Sequence, residues 1–168
     1  GDDVDSSVRL TEALEKVRDF FRYGSVFVYE ANPQKELVLY EHSSLFDHNS
    51  LVQSFVIEQV LSSKQIAQII EDPWCCADQP QEDNVIKDTL SRSFDNRSNF
   101  VMFLIDDEEA IVGCVGMTDK REHVPLTDEE FLQAKTILTL IAERSRFRIY
   151  KRRLEYTSAT LKNIVDHL

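Results

Sequence analysis

Three cysteines are the residues of this sequence best suited to covalent or metal chemistry. Cys75 and Cys76 are adjacent and lie between Asp72 and Asp78, and Cys114 lies in an apolar run. Two thiols can act as nucleophile and resolving group in redox catalysis, and thiols together with carboxylates can bind zinc. Zinc sites, however, separate their cysteines by two or more residues and take three or four ligands. We therefore predict no metal site.

Other catalytic motifs do not occur in the sequence. It has no glycine-rich phosphate loop, no Gly-x-Ser-x-Gly elbow and no His-Glu-x-x-His helix. Carboxylates are numerous because the chain has 30 acidic residues, so their number does not indicate catalysis. No general acid is paired with a general base in one apolar stretch. We predict that this chain is not an enzyme.

Composition describes one soluble globular domain of 168 residues, with 42% hydrophobic and 29% charged residues. The net charge of −11 disfavours binding to nucleic acid. No apolar run reaches the length of a membrane span, and no secretion signal opens the chain. An odd number of cysteines without such a signal indicates reduced thiols and a cytoplasmic location. The sequence identifies no cofactor.

The elements that must position these residues begin with an amphipathic helix over residues 8–21, which Gly24 can end. Its apolar stripe consists of Leu10, Leu14, Val17 and Phe21. Residues 25–29 and 37–40 are rich in β-branched and aromatic side chains, which predicts two strands joined by a turn.

The middle of the chain is less regular. Apolar residues at helical spacing predict a helix over 50–61, capped by Asn49 or Ser50. Residues 65–70 fit either an extension of this helix or a short strand. We expect a loop over 72–83 and a short helix over 85–90.

Two apolar runs, 100–105 and 110–117, flank a polar turn and predict a β-hairpin. Neither run alternates apolar with polar residues, so we expect helices on both faces of the sheet. Gly113 and Gly116 should allow close approach, by default of a helix. The element order predicts an α+β fold with a central antiparallel sheet.

A long helix should close the chain. Thr127 and Glu130 form a capping box at its start. Apolar residues then recur at heptad spacing, interrupted by Glu143, and predict a dimer seam along a helix of about 60 Å. The seam consists of Leu140, Phe147, Tyr150, Leu154, Leu161, Ile164 and Leu168. We interpret the arginines and lysine of 144–153 as surface residues that pair with nearby carboxylates.

This pattern resembles the GAF domain family, cytosolic small-molecule-binding modules of signalling proteins. The resemblance is carried by the hairpin over 100–117, the turn over 118–126 and the helix start at 126–130, and by the strand pair over 26–40 and the segment 65–72. It covers roughly residues 10–150. Lys120 matches the Lys of a motif found in cyclic-nucleotide-regulated members, and Asp128-Glu129 matches its acidic pair, whereas Asp119 and Val124 replace its Asn and Phe. We expect a salt bridge between Lys120 and Asp128.

The resemblance implies a ligand cavity between the sheet and the loops and helices of the middle segment. Mapped onto this sequence, the lining candidates are Phe27, Tyr29, Tyr40, His42, Trp74, Cys75, Phe100, Met102 and Cys114. For the strand residues, ordinary core packing is the competing interpretation. Trp74, the single tryptophan, is interpreted as a lid in a loop, and His42 as a polar contact beside Ser43 and Ser44.

Our leading hypothesis is a non-catalytic sensory domain over 1–150, followed by a coiled-coil extension over 151–168 that leads to an output domain. It would bind an unidentified small molecule and signal as a homodimer. One alternative is a structural dimerisation module without ligand. The other is a thiol-dependent methionine sulfoxide reductase, which is disfavoured because Cys75 and Cys76 are neighbours and Cys114 lies in a predicted core strand.

Overall fold

The computed structural model describes residues 2–45, 51–76, 99–121 and 126–168. Its elements are, in chain order, α1 (Asp2–Phe21), β1 (Tyr23–Ala31), β2 (Leu37–Ser44), β3 (Ser54–Phe55), α2 (Ile57–Val60), α3 (Ser63–Glu71), β4 (Trp74–Cys76), β5 (Asn99–Ile105), β6 (Ile111–Lys120) and α4 (Asp128–Asp166). The helix predicted over 85–90 lies outside the described residues, and so do Asn49 and Ser50, the predicted caps of the helix over 50–61.

The strands form one six-stranded sheet in the order β3-β2-β1-β6-β5-β4. All five neighbouring pairs are antiparallel. The β5–β6 hairpin is closed by Asp106, whose carboxylate accepts hydrogen bonds from the amides of Glu108 and Ala110 at 2.9 Å each. The predicted hairpin and the α+β class are confirmed.

Helices cover both faces of the sheet, as predicted from the uninterrupted apolar strands. The long-helix face is covered by α1 and α4, and its core includes the four stripe residues of α1. The short-helix face is covered by α2 and α3 through Ile57, Leu61 and Ile69. Because residues alternate between the faces of a strand, β1 sends Val26 and Val28 to the first core and Phe27 and Tyr29 to the second.

The first helix ends earlier than Gly24, which corrects the predicted stop. It ends at Phe21, and Arg22 turns the chain with a left-handed φ of 62°. Gly24 instead lies within β1, where a Cβ atom would approach the Cβ of Asp119 to 2.9 Å. This glycine therefore permits close pairing of two strands.

The helix predicted over 50–61 is wrong. Residues 54–55 form the edge strand β3, paired with Leu37 and Val38, and only Ile57–Val60 is helical. The apolar residues of this segment, spaced by three and four, fit an edge strand followed by one helical turn as well as they fit a helix. Leu51 and Leu61 are buried at the two ends of the segment. A new helix starts afterwards, because Ser62 and Gln65 form a capping box.

Residues 65–70 and Trp74 both lie in regular elements. Residues 65–70 belong to α3, so they are helical. Trp74, predicted in a loop, lies in the edge strand β4 and pairs with Met102. Its position in the sheet is inconsistent with the expected loop lid.

The long helix α4 is continuous over 39 residues. Its capping box is formed as predicted: the Thr127 hydroxyl accepts from the Glu130 amide and the Glu130 carboxylate accepts from the Thr127 amide, both at 3.1 Å. Residues 134–149 pack on the sheet through Ala134, Leu138 and Ile149, whereas residues 153–168 are exposed. No helix in the described part of the chain is long and apolar enough to cross a membrane.

Candidate functional site

The short-helix face of the sheet has an aromatic floor. Phe27 and Tyr29 of β1 lie side by side, with ring centroids 5.5 Å apart, and both are fully buried. Cys114 of β6 lies opposite Tyr29 in the strand register. The Phe27 ring crosses Gly116, where an added Cβ would lie 2.7 Å from the ring. Gly116 thus makes room for an aromatic ring, and Gly113 makes room for the Tyr29 carbonyl of the neighbouring strand, which would lie 2.7 Å from an added Cβ. The expected close approach of a helix is wrong, because Ile149 of the long helix, at 3.6 Å from that Cβ, is only in ordinary contact.

At one end of this face the apolar floor gives way to hydroxyl and imidazole groups, which we call the polar corner: Ser25, His42, Ser44 and Thr118. The Ser25 hydroxyl donates to the Ser44 hydroxyl at 2.9 Å, and His42 Nδ1 lies 3.1 Å from the same oxygen. Strand register brings these residues together, because Ser25 pairs with both Ser44 and Thr118. The first three side chains form one chain of hydrogen bonds.

Thr118 differs from its neighbours. Its residue is completely buried, and its hydroxyl has no hydrogen-bond partner among the residues that the structure describes. Buried polar groups are nearly always paired, and an unpaired one costs about 1–3 kcal/mol. The Thr118 hydroxyl therefore has hydrogen-bonding capacity that no described residue uses.

Two further groups on this face are kept neutral. The Tyr29 hydroxyl donates to the Val52 carbonyl at 2.6 Å, and burial, with a smaller contribution from Cys114, raises the pKa of Tyr29. Burial also raises the pKa of the Cys114 thiol. A thiol that stays protonated is a poor nucleophile, so this face has no activated sulfur at Cys114.

Comparison with known proteins gives the fold. The sequence matches no protein-family model and no curated protein. Solved structures do match. The blue-light absorbing form of the Thermosynechococcus elongatus PixJ GAF domain is 12% identical and has a TM-score of 0.57, over 98% of this chain and 95% of that one. The fold is that of a GAF domain.

Two further structures support this GAF-like fold. The phycocyanobilin-bound GAF domain from a cyanobacterial phytochrome is 13% identical over 86% of this chain and 84% of that one, with a TM-score of 0.56. Residues 122 to 287 of a methyl-accepting chemotaxis protein are 16% identical over 83% and 87% of the two chains, with a TM-score of 0.54.

Within the GAF-like fold, eight of the nine candidate ligand residues divide between the two faces of the sheet, and for Cys75 only the backbone is described. Phe27, Tyr29, His42 and Cys114 share the short-helix face. Tyr40 lies instead against the long helix, with the Arg148 guanidinium 4.4 Å from its ring centroid. Cys75 pairs with Val101 through the backbone of β4 and β5. One cavity cannot be lined by the whole set.

The remaining three candidates belong to the long-helix face. Trp74 contacts the edge of Phe100 at 5.6 Å between ring centroids, and both pack into the core that contains Met102. Lys135 of α4 lies 5.1 Å from the centroid of the Trp74 ring and equally far from that of Phe131. This aromatic cluster attaches the start of the long helix to the sheet.

The predicted Lys120–Asp128 salt bridge stays a prediction. The hydrogen bond from the Thr127 backbone amide is the main factor that lowers the pKa of the Glu130 carboxyl. The positive charges of Arg22 and Lys120 lower this pKa further. Lys120 therefore lies near the first turn of α4, where the helix cap places its acidic residues.

Sequence reasoning missed how the basic run of α4 binds the sheet. Glu30, at the end of β1, has a side chain only 1% exposed and is bound by Arg148 and Arg152 at 2.8 Å each. Asp106, 4% exposed, is bound by Arg153 at 3.1 Å. We call these two carboxylates and three arginines the arginine clamp. The predicted pairing with carboxylates holds, but the carboxylates are buried.

A separate cleft of about 530 Å³ lies at the turn end of the sheet. It is lined by both hairpin turns, the short helices and the second half of the long helix, and none of the nine candidates contributes to it. The arginine clamp forms part of its wall through Asp106, Arg152 and Arg153.

The predicted dimer seam is largely exposed. Six of its seven residues are solvent-exposed, including Phe147 and Leu154 at 70% each, and only Tyr150 packs partly on the body. Large apolar side chains in a row along a helix are normally covered by a partner. The seam is thus available for pairing.

Proposed function

We propose that this chain is a non-catalytic sensory GAF domain of a cytoplasmic signal-transduction protein. It binds a small molecule on the short-helix face and transmits the bound state through a dimeric long helix to an output domain. The proposal is supported by the GAF-like fold, by the polar corner, in which the Thr118 hydroxyl has no partner among the described residues, and above all by the exposed apolar seam.

The seam is the observation that carries the proposal. One continuous helix packs on the sheet with one side and presents Leu140, Phe147 and Leu154 on the other. Beyond Arg153 it leaves the body and continues the same repeat through Leu161 and Leu168. A body-attached helix that carries an unburied heptad seam is suited to pair with a second copy and to transmit a change in its packing.

Strand β1 provides a physical path from ligand to helix. Phe27 and Tyr29 lie on the proposed ligand face, and the next residue, Glu30, points to the other face and binds Arg148 and Arg152. A ligand that shifts β1 therefore acts on the clamp that fixes the helix. Transmission requires that the ligand bind two helix packings with different affinity.

Dimerisation is tested by sedimentation equilibrium of Leu154→Asp. A charge in the seam should abolish the dimer, because it would be buried between the two helices. Ala159→Asp is the matched control, since Ala159 is exposed on the opposite side of the helix and should leave the mass unchanged. A monomeric wild type at the highest concentration would contradict the proposal.

Ligand binding is tested by a thermal-shift screen of small polar compounds. A molecule that binds the folded state raises the melting temperature with concentration, as mass action requires. The same compound should lose most of its effect on Thr118→Val. If no compound stabilises the wild type while the dimer forms, the chain is a structural dimerisation module.

A further inference from the structure

We infer that Glu143 and Arg144 fix a parallel alignment of the two long helices, with each Glu143 carboxylate bound by Arg144 of the second copy. The inference rests on the proposed function, in which two copies pair through the seam. It goes beyond that function by naming the residues that set the register and direction of the pair.

Glu143 is the one charged residue at a seam position. It lies between Leu140 and Phe147, and its side chain is 55% exposed. Its recorded ion pair is with Arg146, at 3.4 Å, within the same helix. Arg146 also donates to the Ile105 carbonyl at 2.7 Å, so this arginine is held toward the body. The side of Glu143 that faces the seam therefore retains hydrogen-bonding capacity.

Arg144 is the arginine of the basic run that has no ion pair with the described part of the body. Arg146, Arg148, Arg152 and Arg153 all bind groups of the sheet or its turns. Arg144 is exposed, and within the described residues the structure records no ion pair for it. It directly follows the seam position occupied by Glu143, so its side chain flanks the seam.

The geometry of parallel coiled coils brings these two residues together. With Leu140 and Phe147 at position a, Glu143 occupies position d and Arg144 position e. A d side chain inserts into a hole made by four residues of the facing helix, namely two a residues, the d residue and the e residue that follows it. Glu143 would therefore meet both Glu143 and Arg144 of the second copy. The two Arg144 guanidinium groups would then offset the repulsion between the two Glu143 carboxylates.

An antiparallel pair would place the same carboxylate differently. When the seams of two antiparallel helices are aligned along their full length, Leu140 faces Ile164 and Glu143 faces Leu161. A carboxylate that faces leucine gains no counter-charge from the second copy, so burying it there is disfavoured. The Arg144 counter-charge, which the second copy supplies only in the parallel pair, thus favours the parallel dimer, in which both helices leave their bodies in the same direction.

A charge-swap cycle tests the pair. The dimer dissociation constant is measured by sedimentation equilibrium for the wild type, Glu143→Arg, Arg144→Glu and the double variant. Each single variant should weaken the dimer by about tenfold or more, because like charges then meet in the seam. The double variant should recover most of the loss. Glu155→Arg, which makes the same charge change on the exposed face of the helix, is the control and should change the constant less than about twofold.

The outcomes separate the two proposals. Suppose that the wild type dimerises but that the dissociation constant of the double variant is raised by as much as the two single effects combined. That result overturns the Glu143–Arg144 pair but not the dimer. A monomeric wild type overturns the seam itself. The direction of the two helices is tested by disulfide cross-linking. Oxidation of the Leu161→Cys variant should link two parallel helices, whereas oxidation of the Ala159→Cys variant should not. If Leu161→Cys forms a stable dimer that does not cross-link, the parallel alignment is overturned.

Discussion

Glu30 and Arg148 are joined by an ion pair of 2.8 Å between the end of the central strand β1 and the long helix. The preceding residue, Tyr29, belongs to the opposite face of the sheet. Of these two adjacent residues of β1, Tyr29 therefore lies on the proposed ligand face and Glu30 contacts the proposed output helix. The alternation of side chains in β1 gives this domain its shortest connection between the two.

Glu30→Ala should destabilise the domain strongly. The substitution removes a buried carboxylate whose partners, the Arg148 and Arg152 side chains, are 25% and 41% exposed. The expected loss is therefore that of charge-assisted hydrogen bonds, about 2–3 kcal/mol. Chemical denaturation should report this loss in the free energy of unfolding. Glu155→Ala, at an exposed helix position, should change it by no more than about 0.5 kcal/mol. Equal effects from the two variants would mean that the clamp does not stabilise the fold.

Asp106 should make stability depend on acid pH. Burial alone would raise the pKa of its carboxyl, but hydrogen bonds from the Ala110 amide, Arg153 and the Glu108 amide outweigh burial and lower it. Because the folded-state pKa lies below the unfolded value of about 3.9, Asp106 stabilises the fold above that pH. The contribution is lost as the pH falls through the lower folded-state pKa.

The test is Asp106→Asn, followed by denaturation between neutral and acid pH. The variant should be less stable by roughly 2 kcal/mol at pH 7 and should approach the wild type at low pH, where both carry a neutral side chain. Asp107→Asn is the control, since Asp107 is exposed in the same turn. A constant difference across the pH range would count against an ionised Asp106 as the cause.

The periodic elements of this fold were predictable from sequence. The stripe of α1, the β5–β6 hairpin and the capped long helix each repeat one pattern over many residues, and long patterns identify an element type reliably. The segment over 50–61 was not predictable in this way. Phe55 packs against Tyr29, with ring centroids 5.1 Å apart, and this tertiary contact keeps residues 54–55 in a strand despite their helical spacing.

The candidate site was predicted only in part, for a related reason. Phe27, Tyr29, His42 and Cys114 were identified, but Ser25 and Thr118 were missed because their proximity follows from strand register. Register depends on turns and bulges, such as the one between Val28 and Tyr29, which sequence spacing does not reveal. The alternation of Ser25, Phe27 and Tyr29 was the one available signal for Ser25.

Cys114 should be unreactive while the protein is folded. Its thiol is buried and burial raises its pKa, so the thiolate that attacks disulfide reagents is not formed at ordinary pH. In a variant carrying Cys75→Ser and Cys76→Ser, the aromatic disulfide reagent DTNB should titrate one thiol in denaturant and none in buffer at pH 8. Rapid labelling of the folded variant would reopen the thiol-enzyme alternative.

Thr118→Val should stabilise the ligand-free protein, which is the opposite of what most core substitutions do. Valine has nearly the shape of threonine, and the exchange removes a buried hydroxyl that has no partner among the described residues, a gain of about 1 kcal/mol. The free energy of unfolding from denaturant titration measures the effect.

Thr136→Val provides the comparison for Thr118→Val, because the Thr136 hydroxyl is exposed and already donates to the Leu132 carbonyl at 3.0 Å. That variant should be neutral or slightly destabilised. If Thr118→Val proves less stable than the wild type, the Thr118 hydroxyl is satisfied within the protein and the polar corner has no spare capacity. If Thr118→Val is more stable yet loses the response to a stabilising compound, the hydroxyl is kept for the ligand at the expense of stability.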